Sequence, residues 1–295
     1  MTMHTFGGRW TDIKLVRVLR YLEAYIKVMK YQSFQLGYID AFAGTGYRIH
    51  SAQGSDDFDF FPELAKVQIG SAAAALSVVP PFHRYWFIEN NRVYFDKLLE
   101  LKSEVPEKSV AEFLKEDANS AIPRICTSID WKNTRAVAFL DPYGMQVKWK
   151  TIEAIAETKA IDMWWLFPSH MGVGRMLPKD GDIPDDWKRT LDEALGTNQW
   201  QPAFYEAIEE TQGNFFDSTP NRLERTFTAT SIERFLIRRL SEIFPGVAPR
   251  PVHILINNRP AYQLYFAMAN PSKNAREHAL RIANWLIENE PRLVD

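Results

Sequence analysis

The chain of 295 residues holds a single cysteine, Cys126, and this scarcity removes two function classes at once. No internal disulfide framework can form, and no zinc site that needs several thiolates can be built. The six histidines are scattered, with no HExxH or comparable metal spacing, so no metal site is expected. Charge of one sign is also missing. The formal net charge is −2, so the global basic excess of many nucleic-acid binders is absent, although a local patch remains open. Long apolar runs are missing too: "AVAFL" and "MWWLF" are far too short to span a bilayer, and the N-terminus has no apolar signal-peptide core. The expectation is a soluble, reduced, cytoplasmic protein with no membrane partner. Neither internal repeats nor low-complexity tracts interrupt it.

What is abundant is aromatic side chains, 13% of residues with nine tryptophans. Most belong in a core; clusters such as Trp164–Trp165 and Phe215–Phe216, near segment ends, are also open to use as stacking platforms. The opening "WTDIKLVRVLRYLEAYIKVMKY" carries Ile13, Val16, Leu19, Leu22 and Ile26 near helical spacing. Apolar strands then alternate with helices: "FQLGYIDAFA", "HRYWFIE", "SVAEFLKED", "TRAVAFLDPYG" and "AIDMWWLFPS". Residues 50–69 read as an insertion over one face. "PVHILINN" and "AYQLYFAMAN" read as two strands joined by a turn at Asn257–Pro260. Continuous apolar strands between helices predict an α/β, doubly wound, mainly parallel sheet with a terminal antiparallel hairpin strand. We expect one domain over 1–295, with a helical insertion at about 170–230.

Four candidate strands end in an acid: Asp40, Glu89, Asp117 and Asp141. Any one of them alone reads as a helix cap or solvated loop residue. Four in order place carboxylates along the sheet edge where nucleoside ligands bind. The first precedes "AFAGTG", in which Gly44 and Gly46 remove side chains where a ligand can approach the backbone. The second can accept hydrogen bonds from ribose hydroxyls, and the third from an adenine amino group, with Ala118 leaving room for the ring. The loop is not G-x-x-x-x-G-K-[ST], and position 49, where a dinucleotide fingerprint has its third glycine, is Ile49. An aspartate at the head of such a loop suits a ligand bearing an ammonium better than one bearing phosphates.

These residues resemble the motifs of class I S-adenosylmethionine-dependent methyltransferases: "YIDAFAGTGYR" as motif I, "WFIENN" and "KEDANSAI" as the second and third acids, "FLDPYG" as motif IV. More narrowly, Trp10 to Pro168 is similar to the bacterial and phage three-Cys-motif partner proteins. Members are encoded beside a radical-SAM-like protein with three cysteines, and the resemblance implies that protein as a partner. It also implies that Asp40, Phe42, Gly44 and Gly46 cradle the methionine portion of S-adenosyl-L-methionine, Glu89 the ribose, and Asp117 with Ala118 the adenine. Lys14, in the first helix, either reaches the methionine carboxylate or is a solvated lysine. Motif IV implies methyl transfer to an exocyclic amino group of a nucleic-acid base, with Asp141, Pro142 and Tyr143 as the catalytic set. The second proline of that pattern is absent, which sets Tyr143 one place early and leaves both stacking on a substrate and packing in the core open. "FPSHMGVGR" brings His170 and Arg175 to the same edge as substrate-binding candidates. The arginines Arg234, Arg238 and Arg239 read as a solvated helix face or as phosphate contacts. A non-catalytic recognition subunit is the competing function.

Overall fold

The computed structural model describes residues 9–49, 67–208 and 222–289. The Phe215–Phe216 pair and most of the 50–69 segment lie outside these residues. Helix α1 (Arg9–Met29) leads into strand β1 (Gln35–Asp40). Two short strands, β2 (Tyr47–Ile49) and β3 (Val67–Ile69), pair antiparallel ahead of α2 (Ser71–Leu76). Strand β4 (Arg84–Ile88) is followed by α3 (Arg92–Leu98) and a 3-10 turn, and β5 (Val110–Leu114) by α4 (Ala118–Ser128). Next come β6 (Thr134–Leu140), α5 (Trp149–Glu157) and β7 (Ile161–Phe167).

After a π-helical turn at Ser169–Val173 the chain forms α6 (Gly174–Met176), α7 (Asp185–Leu195) and α8 (Trp200–Phe204). Strands β8 (Tyr205–Ile208) and β9 (Arg222–Arg225) then pair with each other, so the segment between 170 and 230 is not helical throughout. The chain continues through α9 (Ala229–Ile243), β10 (Gly246–Val247), β11 (Val252–Ile256), β12 (Arg259–Met268) and α10 (Lys273–Glu288).

The main sheet has the order β10-β12-β7-β6-β1-β4-β5, with β11 also on β12. Strands β5, β4, β1, β6 and β7 are parallel, and β12 runs antiparallel between β7 and β11. This is the expected doubly wound sheet with its antiparallel hairpin strand. Strand β7 is buried at every position, as a parallel strand covered on both faces must be. Side chains alternate between two cores. Ile39, Ala138 and Trp165 face one core, built with α4, α5 and α9; Tyr38, Phe139 and Trp164 face the other, built with α1, α2 and α10.

Trp164 and Trp165 are therefore not stacking platforms: adjacent in the middle of a central strand, they point into opposite cores and are 0% and 1% exposed. The hairpin turn is also tighter than expected. Asn257 and Asn258 both take left-handed φ (51° and 57°), Ile256 pairs with Arg259, and β12 begins before Pro260. Asparagine tolerates that conformation, and Pro260 sits beside a bulge at Ile254/Leu255, where a missing N–H costs little.

Candidate functional site

The carboxyl ends of the parallel strands share one edge; Asp40, Glu89 and Asp141 stand directly at strand ends there, and Asp117 three residues beyond β5, at the start of α4. Asp40 closes β1 and is fully buried. Its Oδ2 accepts from the Tyr38 hydroxyl at 3.3 Å, its Oδ1 from the Phe42 N–H at 3.4 Å, and Ser71 at the start of α2 donates a further bond. Burial raises its pKa from 3.8 to about 7; the hydroxyl of Ser71 works against that, and the neighbouring Asp141 charge adds to it. Asp40 thus braces the glycine loop from beneath. Phe42, half-buried, packs on the α4–α5 side of the sheet.

The loop above is organised by its own acid. Glu89 follows β4, is 8% exposed, and accepts the Gly44 N–H through Oε2 at 3.0 Å and the Asn91 N–H through Oε1 at 2.7 Å. The Gly44 N–H is therefore directed at Glu89, and the Gly46 N–H at the Ala43 carbonyl, 3.3 Å away. The two glycines serve different ends. Gly44 has φ 60° and a Cβ there would meet nothing within 4 Å, so it faces open space over the loop. Gly46, at φ 76°, would place a Cβ 2.5 Å from Leu101 Cδ1, so close packing demands it.

Lys14 is not solvated. It is 3% exposed, and its Nζ lies 2.5 and 2.7 Å from the two carboxylate oxygens of Asp141, directly after β6. The geometry is that of a carboxylate receiving N–H donors in a dry setting, where charge-assisted bonds are strongest. Pro142 is buried, whereas Tyr143 is 72% exposed, so packing of Tyr143 in the core is ruled out. Gly144 takes φ 71° at the turn, and the Tyr143 N–H is held by Gln146 Oε1 at 3.1 Å.

Asp117 is placed differently from the expectation. Strand β5 stops at Leu114, and Asp117 is exposed and caps α4, accepting the Asn119 N–H at 2.8 Å. Aspartate before a helix is a strong local capping signal, and here it decided the boundary. Ala118 behind it is buried. His170 lies in the π-helical turn, its ring 5.2 Å from that of Phe227; burial first, then Arg225 and His253, lower its pKa. Arg175 is exposed on α6, beside Met171. Arg238 and Arg239 lie against the rings of Phe235 and Trp149, so both are spoken for within the fold.

Sequence reading missed Ser71, Asn119, Arg225 and Phe227. Only Asn119 carries a hint, two residues beyond an acid; the others meet the site through separations that no local pattern records. Among the described residues there is no group of His, Cys, Asp and Glu able to hold a metal ion, and no helix is long and apolar enough to cross a membrane.

No family model matches the chain, and no curated protein matches it. Solved structures do. Protein LPL1258 from Legionella pneumophila str. Philadelphia 1, of family-model DUF519, is 13% identical over 95% of this chain and 93% of that one, with a TM-score of 0.50. The likeness is one of fold. Weaker matches include Trm1 from Pyrococcus horikoshii with S-adenosyl-L-methionine, 8% identical over 89% of this chain and 57% of that one, TM-score 0.43. Another is magnesium protoporphyrin IX methyltransferase from Synechocystis PCC 6803 with bound SAH, 10% identical over 90% of each chain, TM-score 0.34.

Proposed function

We propose that the chain is an S-adenosyl-L-methionine-dependent methyltransferase whose acceptor is an exocyclic amino group, that of a nucleic-acid base. The observation that carries this reading is the Lys14–Asp141 pair at 2.5 Å, on the same sheet edge as the Gly44 loop and Glu89. It is supported by a donor set that fits the cofactor. Both oxygens of Glu89 already take one N–H each and keep lone pairs for two ribose hydroxyls. Open space over Gly44 leaves room for the methionine portion. The loop is headed by an acid, Asp40, and lacks the lysine and third glycine of phosphate binders.

When bound, S-adenosyl-L-methionine supplies an electrophilic methyl on a sulfonium. The chain's own task is then to hold an amine. Asp141 and the Pro142 carbonyl would each accept a hydrogen bond from one of its two N–H groups and aim its lone pair, and the Asp141 carboxylate would offset the positive charge that develops on nitrogen and take the proton it then sheds. Lys14 must first leave Asp141; the methionine carboxylate is the anion nearest in chemistry to receive it. Tyr143, exposed beside that acid, offers a ring face to a base, and His170 and Arg175 border the approach.

Calorimetry tests the reading. Wild-type protein is expected to bind S-adenosyl-L-methionine, and Glu89→Ala to lose that binding. Absence of heat with the folded wild type sinks the proposal. Transfer of a labelled methyl to short DNA or RNA, lost in Asp141→Ala, tests the acceptor.

A further inference from the structure

The adenine end of the proposed pocket and the loop that carries Tyr143 are joined by one residue that the reading above does not use. Asn119 is the second residue of α4. Its backbone N–H donates to Asp117 Oδ1 at 2.8 Å. Its side chain reaches across to the segment after β6: Nδ2 donates to the Gln146 carbonyl at 2.9 Å, and Oδ1 accepts from the Lys148 N–H at 2.9 Å and the Thr151 hydroxyl at 2.8 Å. Gln146 in turn accepts the Tyr143 N–H on its own side-chain oxygen at 3.1 Å. An unbroken run of hydrogen bonds thus leads from the Asp117 carboxylate, through Asn119 and Gln146, to the backbone of Tyr143.

A simple anchoring role needs fewer of these contacts. One bond to Lys148 would tie the loop to α4. Here three of the four hydrogen-bonding positions of the amide are engaged, two on the backbone of the loop and one on Thr151 of α5, which is 1% exposed. The amide therefore fixes the loop's angle as well as its distance from α4. The loop itself is built to respond: Gly144, at φ 71° with open space around it, is the pivot next to the exposed tyrosine.

We infer that Asn119 is a positioning residue that couples cofactor binding to the acceptor loop, so that a bound cofactor sets the loop 142–148 for the amine. This rests on the methyltransferase reading. An adenine amino group donating to Asp117 competes with, and re-aims, the bond to the Asn119 N–H. The start of α4 shifts with it, and the Asn119 side chain carries the shift to Gln146 and Tyr143. Coupling of this kind requires a structural element with two arrangements that one ligand biases, and the inference places that element at the Gly144 turn, where there is room for one.

Hydrogen exchange of the amides between 143 and 149, with and without S-adenosylhomocysteine, tests the inference. In the wild type the ligand is expected to slow exchange there about tenfold, the size of an ordinary coupling between sites. Asn119→Ala is expected to bind the ligand and melt as a folded protein, yet to show no ligand-induced slowing. Thr151→Val removes one of the three contacts and leaves Asn119 in place, so it should reduce the slowing partway. A purely structural Asn119 changes exchange with and without ligand alike, and that result overturns the inference. So does ligand-induced slowing that persists in Asn119→Ala, or a wild type that binds the ligand with no change in the loop. A folded wild type that binds no S-adenosylhomocysteine overturns the methyltransferase reading together with the coupling, and calorimetry identifies that case separately.

Discussion

Two buried aspartates stand at opposite ends of the same sheet, and their chemistry is nearly alike. Asp40 closes β1 at the carboxyl edge; Asp162 opens β7 at the other edge. Each is buried, each has a tyrosine hydroxyl donating to it, from Tyr38 at 3.3 Å and from Tyr21 at 2.6 Å, and each is pushed by burial from 3.8 to about 7. What differs is the company. Asp40 lies under a glycine turn, next to Ser71 and in the field of Asp141; Asp162 faces Tyr21 and the Arg135 charge inside a core of rings. A perturbed carboxyl is therefore no marker of function by itself, because desolvation produces the same shift at a structural position. The carboxyl edge is distinguished by a second acid and a buried ammonium within reach.

The largest effect expected from breaking this contrast is on Lys14. Lys14→Met leaves Asp141 buried without its ammonium and is expected to cost about 3–5 kcal/mol in a denaturant melt, as removal of one partner from a buried pair does. Lys14→Met with Asp141→Asn should recover most of that loss. Next in size is the pH response. Both acids have raised native pKa values, so the protonated form is favoured in the fold. Their contribution to stability is complete below pH 3.8 and is lost as pH rises toward about 7. Each group contributes at most about 4 kcal/mol over that interval. Asp162→Asn should flatten the stability profile between pH 4 and 7 and leave cofactor affinity unaltered. Asp40→Asn should flatten it likewise but weaken binding at pH 8 about tenfold, because it alone removes a charge beneath the loop. Equal affinities for the two variants would erase the distinction between the edges. The smallest effect belongs to Tyr143→Ala: stability within about 0.5 kcal/mol of wild type, with the loss confined to methyl transfer.

The architecture was legible in the sequence because parallel strands covered on both faces must be apolar throughout, and β6 and β7 carry that pattern plainly. Strand-end acids were legible as a row because each strand announces its own end. Boundaries were less so: the apolar stretch of β5 runs out before Asp117, and capping geometry claimed the acid for α4. The partner of Lys14 was out of reach, since 127 residues separate it from Asp141 and only the stacking of α1 over the sheet joins them. The role of each glycine was equally hidden. Gly44 and Gly46 look the same in "GTG", and only the position of Leu101 separates open turn from tight packing.

Arg17 gives α1 a second consequence. It is 3% exposed, and its Nε donates to the Leu286 carbonyl of α10 at 2.9 Å, across 269 residues of sequence. The helix that delivers Lys14 is made well before α10, which forms part of the surface it docks on. Strand β12, which fills the gap between β7 and β11, is also a late arrival. Contacts of such long sequence separation slow folding, since the loop they close must be ordered before they form. A chain made only as far as β6 therefore carries Lys14, Asp141 and the glycine loop, but not the α10 carbonyl to which Arg17 ties the helix that holds that lysine.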